Sequence, residues 1–222
     1  MDTLLSKNDG RVRDFFWASA TLDESAQWRG RLSPVEAEKA EMIKNPTLQS
    51  RFVVSRGLRR QLLADCTGRT SAELEFHEDG KSKPRLLEAD GWDFNLSHSG
   101  NRVALVARRG PVGVDLEMQR QVPQMAGIVG RYFHRDEAVA WKKLGAAQRP
   151  EAFFALWSAR EAAMKCLGFG LAEGLSLTRV DPSLIFGQSV APGRVGETTV
   201  ALHRLEAPKG YLLFVAVAKT KV

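Results

Sequence analysis

Gly110-Pro111 interrupts the chain close to its midpoint, and strands around one long helix are expected on either side of it. Before the break the spacing predicts a strand over 13–20. A helix from Pro34 to about Lys44 follows, with Ser33 as its cap, and then a longer one from Pro46 to about Asp65 with Phe52, Leu58, Leu62 and Leu63 as its apolar stripe. Strands are expected at 73–77, 92–96 and 102–109. After the break come a strand at 112–117, helices at 123–133, 134–144 and 150–167, and strand-like runs at 175–180, 199–206 and 211–218. The Gly/Pro-rich stretch 187–196 is expected as a surface loop. The fold expectation is therefore α+β, with two similar halves, 1–110 and 111–222, each a small sheet packed on a long helix. No internal sequence repeat is visible, so a pseudo-two-fold duplication rests on element order alone.

The 222 residues, 44% of them hydrophobic, suffice for one large domain or two small ones. No apolar run approaches the ~20 residues of a membrane-spanning helix, and the segment MDTLLSKNDGRVRDFF is too polar for a secretory signal. The two cysteines, Cys66 and Cys166, form no C-x-x-C pair, so a cytoplasmic location is expected. A net charge of +6 favours anionic partners, among which nucleic acid, a phosphate-rich cofactor and an acidic protein stand equal.

Five clusters carry candidate chemistry. In the strand Gly113-Val114-Asp115-Leu116-Glu117, alternation puts Val112, Val114 and Leu116 on a core face and both acids on the other. Paired carboxylates suit Mg²⁺; taken alone, the pair reads first as the wet face of an amphipathic strand. On the helix around Trp157-Ser158-Ala159-Arg160-Glu161, the residues Trp157, Glu161 and Lys165 share one face. Glu161 and Lys165 are either a surface ion pair or a carboxylate for metal or proton beside a phosphate-binding lysine. In Asn95-Leu96-Ser97-His98-Ser99, an extended backbone sends Ser97 and His98 to opposite faces, which argues against a nucleophile–base pair. His98 is either structural or an anion contact. Lys81-Ser82-Lys83-Pro84-Arg85 forms a basic turn. Arg51, Arg56, Arg59 and Arg60 share the helix after Pro46; Arg51 lies near its N-terminus, where phosphate is favoured, and the others read as a solvated face.

In this order, an Arg-bearing helix, Lys-Pro, FNLSHS, GVDLE, Phe133-His134-Arg135-Asp136-Glu137 and WSAREAAMK before Gly168, the clusters resemble the Sfp-type 4′-phosphopantetheinyl transferases over roughly residues 30–175. That family shows G-[IV]-D-[IL]-E, F-x-x-x-E and W-[ST]-x-K-E-[AS]-x-x-K. The resemblance implies the fold of that family and transfer of the 4′-phosphopantetheine arm of coenzyme A to a serine of an apo acyl or peptidyl carrier protein, with Mg²⁺ as cofactor. It implies Asp115, Glu117 and Glu161 as metal ligands, and Glu161 and Lys165 as catalytic groups. Lys39, Arg51, Lys83, Pro84, Asn95, Ser97, His98 and Lys165 fall at coenzyme A contacts. Arg160 departs from the lysine usual before the glutamate, and Glu36 stands where some relatives have lysine. The expected site is a cleft where the halves meet, and the expected form a monomer acting on a carrier that docks on residues 118–135, with neither nucleic acid nor membrane as partner. A basic nucleic-acid-binding module and an inactive carrier-interaction domain are the rival readings.

Overall fold

A computed structural model describes residues 15–80 and 82–219. Arg13 and Asp14 of the first expected strand, and Lys81 of the basic turn, lie outside the described residues. The chain is mixed α/β and divides into two compact units between Arg109 and Gly110.

The first unit contains β1 (Phe16–Thr21), the short α1 (Ser25–Trp28), α2 (Pro34–Met42), α3 (Pro46–Thr67), β2 (Phe76–His77), β3 (Arg85–Leu86), β4 (Trp92–Ser99) and β5 (Arg102–Arg109). An antiparallel sheet in the order β1-β5-β4 packs on α3, while β2 and β3 form a separate ribbon. Helix α3 starts because the Asn45 side chain accepts from the Leu48 N–H and Pro46 needs no partner for its nitrogen; it stops at Gly68, which takes a left-handed conformation. Its buried stripe is Val54, Leu58 and Leu62, four apart, together with Leu63. Phe52, expected in that stripe, is only half-buried because it sits a half-turn off the axis of the row. The strand expected at 73–77 is reduced to Phe76–His77, since Thr70 and Glu73 form a reciprocal cap around a short 3₁₀ turn.

The arginines of α3 are not a solvated face. Arg59 and Arg60 are buried, and both bind Glu36, at 2.7 Å and 2.6 Å. Glu78 accepts from Arg56 at 2.7 and 2.6 Å and also binds Arg59, whose guanidinium lies 3.6 Å from the centroid of the Phe76 ring. Glu36 meanwhile completes a capping box with Ser33 at the start of α2. One carboxylate thus fixes the entry of α2 and bridges two buried cations of α3, one of which, Arg59, it shares with Glu78. Burial pushes the Glu36 carboxyl up, but the hydrogen bonds from Arg60 and the Ser33 N–H, and the charges of Arg60 and Arg59, outweigh it and hold the group below its ordinary range.

The second unit contains β6 (Val112–Met118), α4 (Met125–Tyr132), α5 (Arg135–Lys142), α6 (Arg149–Leu167), α7 (Leu171–Leu177), β7 (Thr178–Val180), β8 (Val190–Val195), β9 (Thr198–Leu205) and β10 (Tyr211–Ala218). Its five-stranded sheet runs β6-β10-β9-β8-β7, antiparallel throughout, and packs on α6. Two expectations fail here. The 187–196 stretch holds a strand, because Ala191, Gly193 and Val195 alternate inward despite Pro192. The run expected from 175 is helical to Leu177, and only Thr178–Val180 is strand. Among the described residues no helix is long and apolar enough to cross a membrane.

A second buried ion pair braces this unit. Arg160 on α6 donates to both oxygens of Glu137 on α5, at 3.0 and 2.8 Å, and to the carbonyls of Tyr132, Leu175 and Thr178. Glu137 also accepts from the backbone N–H groups of His134 and Val180. The planar five-donor fork of arginine suits this many-sided contact, which a lysine could not reproduce. The arginine that departs from the family motif therefore ties α4, α5, α7 and β7 to α6.

The close packing of β6 on α6 depends on Gly113. A Cβ there would lie 2.2 Å from the Ala162 carbonyl oxygen and 2.3 Å from the Cys166 nitrogen, both backbone atoms that cannot turn aside. Gly113→Ala is expected to cost at least about 2 kcal/mol of unfolding free energy in denaturant melts; an unchanged midpoint would contradict the packing described. Glu36→Ala is expected to cost about 3–5 kcal/mol near neutral pH, by leaving buried Arg60 without a carboxylate and Arg59 with Glu78 alone. Because the folded-state pKa of Glu36 is lowered, its contribution is present above the ordinary value of 4.5 and is lost as pH falls through the lowered one. The stabilities of wild type and variant should therefore converge in acid, and a difference that grows in acid would contradict the brace.

Candidate active site and cofactor pocket

The contact at Gly113 decides which face of β6 carries the chemistry. Gly113, Asp115 and Glu117 alternate onto one face, opposite Ala216, Phe214 and Leu212 of β10, which belong to the core around α6. The expected assignment is reversed: the acidic face is the one turned to the helix, and Val112, Val114 and Leu116 are buried on the other. Asp115 is accordingly 2% exposed, which removes the wet-face reading.

Helix α6 ends at Gly168, left-handed, with the Phe169 N–H bonded to the Met164 carbonyl. Its polar residues meet Asp115. The Ser158 hydroxyl donates to Asp115 Oδ2 at 2.8 Å, and Lys165 Nζ donates to Oδ1 at 2.5 Å. The same ammonium lies 3.3 Å from Glu161 Oε2, one turn back on α6. Glu117, further along β6, is paired with Arg120 at 3.1 Å. Glu161 and Lys165 are thus half-buried members of a charged cluster and not a surface pair.

The electrostatics follow from this crowding. Burial pushes the Glu161 carboxyl above its ordinary range; the charges of Asp115 and then Glu117 push the same way, against Lys165. Burial disfavours the Lys165 ammonium, but Asp115 and Glu161 outweigh it and hold its pKa above the ordinary value. Asp115 and Glu161 share one lysine, while Glu117 is matched by Arg120, which leaves an excess of negative charge at Asp115 and Glu161. Among the described residues no group of three or more His, Cys, Asp or Glu stands ready arranged around a metal position. The donor chemistry nonetheless fits a hard divalent cation: the carboxylates of Asp115 and Glu117 both act on Glu161, and all are oxygen ligands.

In the first unit, a cavity of about 380 Å³ opens between α3 and β4. Arg51, Phe52, Ser55, Pro84, Phe94, Asn95, Leu96 and His98 line it, together with Arg56 and Arg59. Arg56 and Arg59 are already matched by Glu78, and Arg59 also by Glu36. Arg51 has a buried Nε without a hydrogen-bond partner, and no carboxylate is paired with it among the described residues. An apolar-walled pocket with an uncompensated guanidinium and a histidine suits a ligand that is part flat or apolar and part anionic.

Of the sequence candidates for cofactor contacts, Arg51, Pro84, Asn95 and His98 meet in this cavity. Ser97 is buried on the face of β4 opposite His98, as alternation requires. Lys83 is ion-paired with Asp93 and Lys39 is exposed on α2; neither lines the cavity. Lys165 belongs to the cluster on α6. Sequence reasoning missed Ser158, although it stands three residues before Glu161 on the same helix, and it missed the brace role of Glu36, although Ser33-Pro34-Val35-Glu36 is a capping-box pattern.

Family comparisons follow the same division. Residues 111–216 match the model of the 4′-phosphopantetheinyl transferase superfamily, and residues 23–110 match that of the 4′-phosphopantetheinyl transferase N-terminal region. The chain is 30% identical over 161 residues to a protein of Synechocystis sp. given that enzyme name provisionally, covering 71% of this chain and 65% of the relative. It is 29% identical over 160 residues to 4′-phosphopantetheinyl transferase HetI of Nostoc sp., covering 68% of each. Over 126 residues it is 31% identical to 4′-phosphopantetheinyl transferase psf-1 of Bacillus pumilus, covering 57% of this chain and 53% of the relative. The chain thus covers less than two thirds of the Synechocystis and Bacillus pumilus relatives. With the two family models matching consecutive segments, and the GVDLE strand and WSAREAAMK helix meeting at Asp115, the chain belongs to the 4′-phosphopantetheinyl transferase superfamily.

Proposed function

We propose that the protein transfers the 4′-phosphopantetheine group of coenzyme A to a serine hydroxyl of an apo acyl or peptidyl carrier protein, releasing 3′,5′-ADP, with Mg²⁺ as cofactor. The observation that carries this reading is the buried Asp115 carboxylate held between Ser158 and Lys165, beside Glu161. A basic nucleic-acid-binding module leaves that cluster unexplained, since bare carboxylates repel phosphate.

In this reaction the serine oxygen forms a bond to the β-phosphorus of coenzyme A, and the bond from that phosphorus to the bridging oxygen breaks. The serine proton needs an acceptor, because an alkoxide is unfavourable near neutral pH. Glu161, the carboxylate beside Lys165 on α6, would take that proton. Lys165 supplies a cation for the charge that gathers on the pyrophosphate oxygens. Asp115, Glu117 and Glu161 would hold the Mg²⁺, which when bound neutralises the same oxygens. Arg51, with its unpartnered Nε, and His98 would take the 3′-phosphate, with Phe52 and Phe94 beside the adenosine. No group of the enzyme becomes covalently modified.

We further read the two units, each a sheet against one long helix, as a pseudo-two-fold duplication, and place the enzyme in the cytoplasm as a monomer. Carrier docking on 118–135, expected with apolar contacts at its centre and basic residues around them, needs revision in one respect. Val129 and Phe133 belong to the core, and Met125 and Ile128 pack against it, so the apolar side of α4 is already used. The exposed Arg120, Arg131 and Arg135 remain for an acidic partner.

Incubation with a fluorescent coenzyme A analogue, Mg²⁺ and an apo carrier protein should label the carrier. Asp115→Ala and Glu161→Ala should remain folded and lose nearly all transfer; near-normal turnover in both would refute the assignment of these acids. Arg51→Ala should raise KM for coenzyme A more than it lowers kcat, because its proposed partner lies away from the reacting bond. It should also discriminate less than the wild type between coenzyme A and dephospho-coenzyme A. Equal discrimination by both proteins would place the 3′-phosphate elsewhere.

A further inference from the structure

We propose that Ser158 is a positioning residue for the reaction, fixing the carboxylate plane of Asp115 so that it can hold the divalent cation. The inference rests on the metal role given to Asp115 above. Ser158 is fully buried, at 0% exposure, and its hydroxyl donates to Asp115 Oδ2 at 2.8 Å. Lys165 takes Oδ1 from a position seven residues further along the same helix. With both oxygens held from two points on α6, the carboxylate cannot turn about its Cβ–Cγ bond.

The two partners differ in kind. Lys165 reaches Asp115 on a long flexible stem, its side chain is 29% exposed, and it divides its charge with Glu161. It can follow the phosphate oxygens when coenzyme A arrives. The Ser158 hydroxyl sits one carbon from the helix backbone and has no such freedom. It therefore remains the fixed reference that ties the strand carrying Asp115 to the helix carrying Glu161.

The composition of α6 argues that the hydroxyl has a purpose beyond packing. The other small buried positions of this helix are Ala152, Ala155, Ala159, Ala162, Ala163 and Cys166. Alanine would fill the Ser158 position as well and with better helix propensity. The serine spends its hydroxyl on a carboxylate from another element, the arrangement by which outer groups orient metal ligands.

The test is Mn²⁺ binding, counted by electron paramagnetic resonance with saturating coenzyme A and no carrier, so that no turnover occurs. The wild type is expected to bind Mn²⁺, and Ser158→Ala to bind it about 10–100-fold more weakly while keeping its circular dichroism spectrum. Ser158→Thr, which retains the hydroxyl, should stay close to the wild type. If the alanine variant fails to fold, Ser158→Cys, similar in volume and a much weaker donor, replaces it with the same expectation. Folded Ser158→Ala with wild-type affinity, or folded Ser158→Thr as weak as the alanine variant, overturns the inference while leaving the metal reading intact. A wild type that binds no Mn²⁺ with coenzyme A present refutes the metal reading itself, and this inference with it.

Discussion

The second unit is organised by the close approach of strand β6 to helix α6 at Gly113, where no side chain intervenes between the two backbones. Two residues further along the strand, that approach brings Asp115 within hydrogen-bonding reach of Ser158 and Lys165. Had the strand stood a side chain further off, the carboxylate would be buried without partners, a costly arrangement. The glycine, the aspartate and the serine therefore form one requirement and not three. The charge excess that remains around Glu161 is the property an anion-transfer site with a divalent cation can use.

Buried ion pairs hold the surroundings in place in each unit. Glu36 with Arg59 and Arg60 fixes α2 to α3, and Glu137 with Arg160 fixes α5, α7 and β7 to α6. Such pairs rarely add much net stability over a hydrophobic isostere. Their geometry matters more: each carboxylate also caps the start of a helix, Glu36 at α2 and Glu137 at α5. Arg160 is the residue directly before Glu161, so its contacts also set the rotation of α6 at the proposed base. Saturating Arg56, Arg59 and Arg60 with acids likewise singles out Arg51 as the guanidinium of the cavity wall with no carboxylate paired to it among the described residues.

Much of this was legible in the sequence, for physical reasons that differ by element. Helices with explicit ends are legible: Ser33-Pro34 opens α2, Pro46 opens α3, and the helix expected over 150–167 spans Arg149–Leu167. The 187–196 segment reads as a loop because glycine and proline mark turns locally, whereas its inward alternation is satisfied only by packing in the sheet. The two-residue period puts Asp115 and Glu117 on one face, but the assignment of Val112, Val114 and Leu116 to the core and of the acids to solvent fails, since both faces of β6 are buried. In the same way, the arginines of α3 looked solvated because Glu36 and Glu78, their partners, are distant in sequence. For Ser97 and His98 the period was enough, and they lie on opposite faces of β4.

On the proposed function, Asp115, Glu117 and Glu161 would hold one divalent cation against the coenzyme A pyrophosphate. The most direct measurement is an experimental structure of the protein with coenzyme A and Mn²⁺, with the metal located by its anomalous scattering. One strong peak is expected in direct contact with carboxylate oxygens of these three residues and with pyrophosphate oxygens, and the adenosine 3′-phosphate is expected on Arg51. A peak bound elsewhere, or coenzyme A bound with no metal on these acids, would contradict it.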